Sequence, residues 1–183
     1  MPSALIPLAP GCEELEAVTL IDLLRRADFD VVTAGLVEGP ITASRRTALV
    51  PDVLLVDMVD QDFDLIALPG GQPGATHLAE SGILERMLAR QHERGGWIGA
   101  ICAAPRVLAA HGLLAGRRAT TFPGTLDEFE DGTFELVDEP VVVDGHIVTS
   151  RGPGTAMDFA LKLIECCAGP ERRTAVEGPL QRP

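Results

Sequence analysis

Three features of this sequence could do chemistry together: a cysteine, a carboxylate and a pair of glycines, each at the end of an apolar run. Cys102 closes Trp97-Ile98-Gly99-Ala100-Ile101-Cys102, and helix-forming residues follow at once from Ala103 to Leu114. A residue between the end of a parallel strand and the first turn of a helix occupies a tight turn. Its side chain projects at the carboxyl edge of the sheet, where open α/β folds bind ligands. A helix amino terminus behind it would favour thiolate over thiol, and the thiolate is the nucleophile. The competing reading is a buried, inert cysteine, a common fate of this residue type.

Glu13, Glu14 and Glu16 open the first helical stretch. Compensation of the helix dipole accounts for one or two of them. Glu16 lies in the first strand-to-helix turn, which opens onto the same sheet edge as Cys102. A carboxyl kept protonated there would donate a hydrogen bond to the thiolate and relay protons. Leu68-Pro69-Gly70-Gly71 ends another strand at that edge. Adjacent glycines permit close backbone approach by a ligand, and their N–H groups with that of Ala103 could form an oxyanion hole. An ordinary tight turn explains Gly70-Gly71 as well. Ser150-Arg151-Gly152-Pro153-Gly154-Thr155 reads either as an anion-binding loop or as a plain helix start.

Other candidates are weaker. His77 follows the glycine pair and His111 lies on the helix after Cys102; a loop residue and a surface or cap residue are the favoured readings. Cys12 sits near Glu16 and is a candidate second thiol. Cys166 and Cys167 are adjacent on a helix and point apart. No Cys-x-x-Cys pair or spaced histidine set signals a metal, and neither Gly-x-Gly-x-x-Gly nor a P-loop is present.

The elements that must position these groups alternate in kind. Strands are expected at residues 4–9, 29–36, 64–68, 97–101 and 119–122, and helices at 13–27, 81–94, 103–114 and 155–168. A short hairpin is expected over 41–50 around Ser44-Arg45-Arg46, and a second over 141–148 with an Asp-Gly turn. Leu15, Val18, Ile21 and Leu24 mark the expected apolar stripe of the first helix. A polar tail is expected from about residue 170. This alternation predicts one α/β domain spanning 1–183, a mostly parallel sheet covered by helices on both faces.

The chain has 183 residues, 46% of them hydrophobic, which suffices for a substantial core. Fifteen basic groups face 27 acidic ones, a net charge of −12. Such a surface disfavours nonspecific nucleic-acid binding and anionic membranes. No apolar run is long enough to span a bilayer, and no signal-peptide pattern opens the chain, so the expected location is cytoplasmic.

Gly11-Cys12-Glu13-Glu14-Leu15-Glu16, Leu68-Pro69-Gly70-Gly71, Ala100-Ile101-Cys102-Ala103-Ala104-Pro105 and Thr149-Ser150-Arg151-Gly152-Pro153-Gly154-Thr155 occur in this order. Together they resemble the ThiJ/PfpI superfamily over nearly the whole chain, and within it the branch of YajL and the parkinsonism-associated deglycase. The resemblance implies a flavodoxin-like three-layer sandwich and a homodimer without metal or organic cofactor. It implies Cys102 as a redox-sensitive nucleophile, Glu16 as the acid bonded to its sulfur, and Gly71 and Ala103 as oxyanion-hole amides. Gly70 and Arg151 join the substrate side, and Arg45 reaches across the dimer.

The implied substrates are α-oxoaldehydes or their early glycation adducts. An oxidative-stress sensor or redox chaperone, with Cys102 taken to sulfinate, is the alternative. A peptidase or amidase is the least favoured, because Ala103 stands where that branch has a histidine. Phe122 stands where some relatives have one too, leaving base work to Glu16 or water.

Overall fold

The computed structural model of the protein describes residues 1–129 and 132–182. Eleven strands form among the described residues, and the apolar runs at residues 3–8, 65–68, 97–101 and 147–150 are the ones covered on both sides, as their lack of alternation requires. The strands are β1 (Ser3–Leu8), β2 (Asp30–Gly35), β3 (Ile41–Thr42), β4 (Ala48–Leu49), β5 (Val53–Leu54), β6 (Leu65–Leu68), β7 (Trp97–Ile101), β8 (Arg118–Ala119), β9 (Glu135–Leu136), β10 (Val141–Asp144) and β11 (Ile147–Ser150). The helices are α1 (Glu14–Arg26), α2 (Gly74–Ala79), α3 (Gly82–Glu93), α4 (Pro105–Ala110), α5 (Ala156–Ala168) and α6 (Pro170–Glu177).

Seven strands form the central sheet in the order β10-β11-β7-β6-β1-β2-β5. Every pair in it is parallel except the β10–β11 hairpin. The pleat sends alternate side chains to opposite layers. Ala4, Ile6 and Leu8 of β1 join Leu20, Leu24, Phe159 and Leu163 of α1 and α5, whereas Leu5, Ile66 and Ile98 join Leu84, Leu88 and Leu108 of α3 and α4. The chain therefore has the expected flavodoxin-like α/β fold. Gly99 lets α5 settle on β7, because a Cβ there would lie 3.0 Å from Phe159 Cζ and Leu163 Cδ2.

Four local expectations are corrected. The α1 stripe is rotated: Leu15 and Val18 are half exposed, and the inward face is Glu16, Ala17, Leu20, Leu23 and Leu24. The helix expected over 103–114 is only Pro105–Ala110, preceded by a turn. The strand expected over 119–122 is confined to Arg118–Ala119, after which the chain bends back over Cys102. The expected polar tail continues as α6, whose Val176 is buried against the α1/α5 layer; of that tail, Pro183 lies outside the described residues. The short helix α2, behind Gly70-Gly71, was not signalled, since six residues give too little periodicity.

Candidate active site

Cys102 follows β7 directly, and its backbone is left-handed with φ of 62°. That conformation is costly for a residue with a Cβ and persists only where neighbours impose it. Here they do. Cys102 N–H donates to Ser150 O at 2.9 Å on adjacent β11. Its carbonyl accepts from Phe122 N–H at 3.0 Å and from Thr121 Oγ1 at 2.7 Å. The turn thereby aims the side chain out of the sheet edge, into a cavity where it is 8% exposed.

Glu16 arrives from the first turn of α1. It is fully buried, and its Oε2 accepts from Gly70 N–H at 2.8 Å. Oε1 is buried without a partner of ordinary geometry among the described residues, while the side chain lies against the Cys102 thiol. The backbone N–H groups of Gly71 and Ala103 point at the same sulfur. Neither glycine can be replaced freely. A Cβ on Gly70 would stand 2.7 Å from both Ala103 N and Cys102 Cβ, and one on Gly71, whose φ is +87°, would stand 2.7 Å from Gly11 O.

The remaining two glutamates have structural work. Glu13 caps α1, its carboxylate accepting Glu16 N–H at 2.9 Å. Glu14 binds the β3–β4 turn through Ser44 Oγ at 3.1 Å and Arg45 N–H at 3.0 Å. Burial opposes ionisation of Glu14, but the N–H groups of Glu14, Arg45 and Thr47 outweigh it and hold the carboxyl at about 2.

The electrostatics of Cys102 differ from the sequence expectation. Burial, then the Glu16 charge, push its thiol up to about 12, and the Gly71 and Ala103 amides offset this only in part. The field of a helix amino terminus is not the deciding influence, because the helix starts at Pro105 and is short. Burial also raises Glu16 to about 7, against the Gly70 hydrogen bond. When Glu16 holds a proton, its charge no longer opposes the thiolate and its O–H becomes a donor.

The cavity, about 690 Å³, brings Cys102, Ala103, Gly71 and Arg45 together with Glu13, Arg106 and Phe122. Arg45 thus lines the cavity of its own chain. Gly70 and Glu16 form the layer beneath. Arg151 is not brought in: it pairs with Asp138 and lines a separate hollow beyond the 120–127 loop. His77 is also outside, its Nδ1 3.0 Å from Pro10 O, as is His111, which caps α4 beside Glu85. Cys12 is fully buried, and burial pushes its thiol up to about 11. Arg106 went unread in the sequence, although its position one helical turn beyond Cys102 was an available signal. Among the described residues no histidine lines the cavity, and no group of three or more His, Cys, Asp or Glu is placed to hold a metal ion.

Comparison with known proteins adds a family match, two sequence relatives and two solved structures. The family model described as "DJ-1/PfpI family" matches residues 2–166. Protein dj-1beta of Drosophila melanogaster is 43% identical over 171 residues, covering 93% of this chain and 91% of that protein. Its crystal structure superposes with a TM-score of 0.93 at 42% identity, over 98% of this chain and 97% of the other. Glutathione-independent glyoxalase DJR-1.2 of Caenorhabditis elegans is 41% identical over 179 residues, covering 97% and 95%. Oxidized Toxoplasma gondii DJ-1 has a TM-score of 0.93 at 38% identity, covering 98% of each chain.

Proposed function

The chain belongs to the DJ-1/PfpI family, and on that premise we propose that it is a cofactor-independent glyoxalase or deglycase acting on α-oxoaldehydes or their early adducts. The observation that carries this reading is the shared burial of the Cys102 thiol and the Glu16 carboxyl under two convergent amides. A relative named as a glutathione-independent glyoxalase supports it.

The reaction needs one nucleophile and one group that moves protons. Glu16 carboxylate takes the Cys102 proton as Sγ bonds to the aldehyde carbon. The carbonyl π pair moves to oxygen, which the Gly71 and Ala103 amides hold, and protonation gives a thiohemiacetal. Removal of the former aldehyde hydrogen as a proton gives an enediol; return of a proton at the neighbouring carbon, with the hydroxyl proton passing from the first oxygen to the second, turns it into a 2-hydroxyacyl thioester. Glu16, whose side chain lies against the Cys102 thiol, is the group assigned to both transfers. Water then cleaves the thioester to the hydroxyacid and restores the thiol. One carbon is oxidised as its neighbour is reduced, so no outside electron acceptor enters.

The deciding assay is methylglyoxal turnover with direct detection of the hydroxyacid. Cys102→Ser should abolish it, and Glu16→Gln should slow it by about 10²–10⁴-fold. Full turnover in Cys102→Ser would refute the reading.

A second reading, an oxidative-stress sensor, has one specific support: the same donors could hold a sulfinate on Cys102, and a close structural neighbour is described as oxidized. Mild peroxide should then add two oxygens to Cys102 alone, read by mass spectrometry. The peptidase or amidase alternative has no support, since no imidazole lines the cavity among the described residues.

A further inference from the structure

Arg106 is the feature of the cavity that neither the proton chemistry nor the fold accounts for. It lies one turn beyond the nucleophile on α4 and lines the cavity that contains Cys102. Its guanidinium is partly buried, with the side chain 23% exposed. Nη2 meets Glu128 Oε1 at 2.5 Å, but Nε is fully buried and has no partner among the described residues. A buried donor without an acceptor is costly, and a guanidinium presents its Nε and Nη edge as a fork suited to carboxylate or phosphate. Glu128 occupies only one prong, and its own side chain is 58% exposed, so water screens the pair and its loss costs little.

The surroundings sharpen the assignment. The chain carries a net charge of −12, and Glu13 and Asp127 also line the cavity. An anion would therefore not be drawn in by the overall field; it must be held at short range by a specific cation. Arg45, in the same lining, makes no ion pair among the described residues and adds to the local positive charge.

We propose that Arg106 sets substrate specificity: it receives a carboxylate or phosphate carried by the aldehyde substrate, which displaces Glu128 and satisfies Nε. The preferred substrates are then anionic 2-oxoaldehydes or adducts with a free acidic group, rather than methylglyoxal itself. This rests on the glyoxalase reading for its turnover measurement, but not for its binding measurement.

The first measurement compares kcat/KM for 4,5-dioxopentanoate with that for its methyl ester, which has the same electrophile without the charge. Wild type should favour the acid by about tenfold or more, the usual worth of a hydrogen bond to a charged group. Arg106→Gln should bring the ratio close to unity while turnover of the ester persists. Arg106→Lys should keep part of the preference, and Glu128→Gln should raise it. A purely structural Arg106, tying α4 to the Asp127–Phe129 turn, would lower both substrates equally and leave the ratio unchanged, which overturns the proposal.

If wild type turns over neither aldehyde, the enzyme reading fails and the second measurement decides. Cys102 is alkylated with iodoacetate and with iodoacetamide, each rate being referred to free glutathione. A relative preference for iodoacetate in wild type that disappears in Arg106→Gln supports the anion site; equal ratios in the two proteins overturn it. Should Arg106→Gln fail to fold, Glu128→Gln decides alone, because an unchanged charge preference there is incompatible with Glu128 competing for the guanidinium.

Discussion

A thiol and a carboxyl are buried side by side, and the protonation of the carboxyl governs the chemistry at the residue scale. Glu16 titrates near 7, raised first by burial. If its carboxylate form starts the reaction, kcat/KM for methylglyoxal should fall as pH drops below about 7, and this limb should be absent from the residual activity of Glu16→Gln. The same shift affects stability. The folded carboxyl holds its proton up to about 7, against an ordinary value of 4.5. Between those values the native state binds more protons than the unfolded chain, so stability must fall as pH rises, by about 3 kcal/mol in total. Urea midpoints from pH 4 to 8 should show this decline in wild type and lose most of it in Glu16→Gln.

At the scale of elements, the site depends on how closely loops from β1, β6 and β7 approach one another. Gly70 lies against Cys102 and Ala103, with no room for a Cβ. Gly70→Ala should cost about 1–3 kcal/mol in denaturant unfolding and, by moving the amides off the sulfur, lower kcat more than KM rises. Glu14 ties the β3–β4 turn to α1, and with it the segment bearing Arg45. Its contribution is present above 4.5 and lost as pH falls toward about 2. Glu14→Gln should therefore speed amide exchange in residues 43–48 at neutral pH, with the α/β core left protected. Unchanged exchange would show that the turn holds itself.

At the scale of the molecule, the rotated face of α1 leaves apolar surface uncovered. Leu15 and Val18 are half exposed, and Val50 after β4 is 76% exposed. These side chains fit the homodimer expected from the family resemblance, with a second copy covering them. Light scattering should give twice the chain mass, and Val18→Glu should shift it toward the monomer while leaving the far-ultraviolet spectrum intact. Loss of the dimer would also test whether Arg45 serves its own cavity, where it sits in the single chain, or the partner's.

Reading the sequence alone determined the parallel α/β sandwich and the meeting of Cys102, Glu16 and Gly70-Gly71 at one sheet edge. Those follow from local signals: apolar runs, turn residues, and the rule that every parallel strand ends at the same edge. Tertiary structure alone decided the rest. The phase of α1 was ambiguous because Leu15 and Val18 keep helical spacing as well as Ala17, Leu20 and Leu24 do; only packing selects the face. The Cys102 thiol is raised rather than lowered because burial and a neighbouring acid, both long-range consequences of folding, outweigh the short helix behind it. Arg151 looked close in sequence to the site loop yet pairs with Asp138 elsewhere. Arg106, silent in the pattern, faces the cavity because α4 begins one turn after the nucleophile and turns that side chain toward Glu128. Local spacing specifies which residues share an element; burial, charge and partners are set only when distant elements meet.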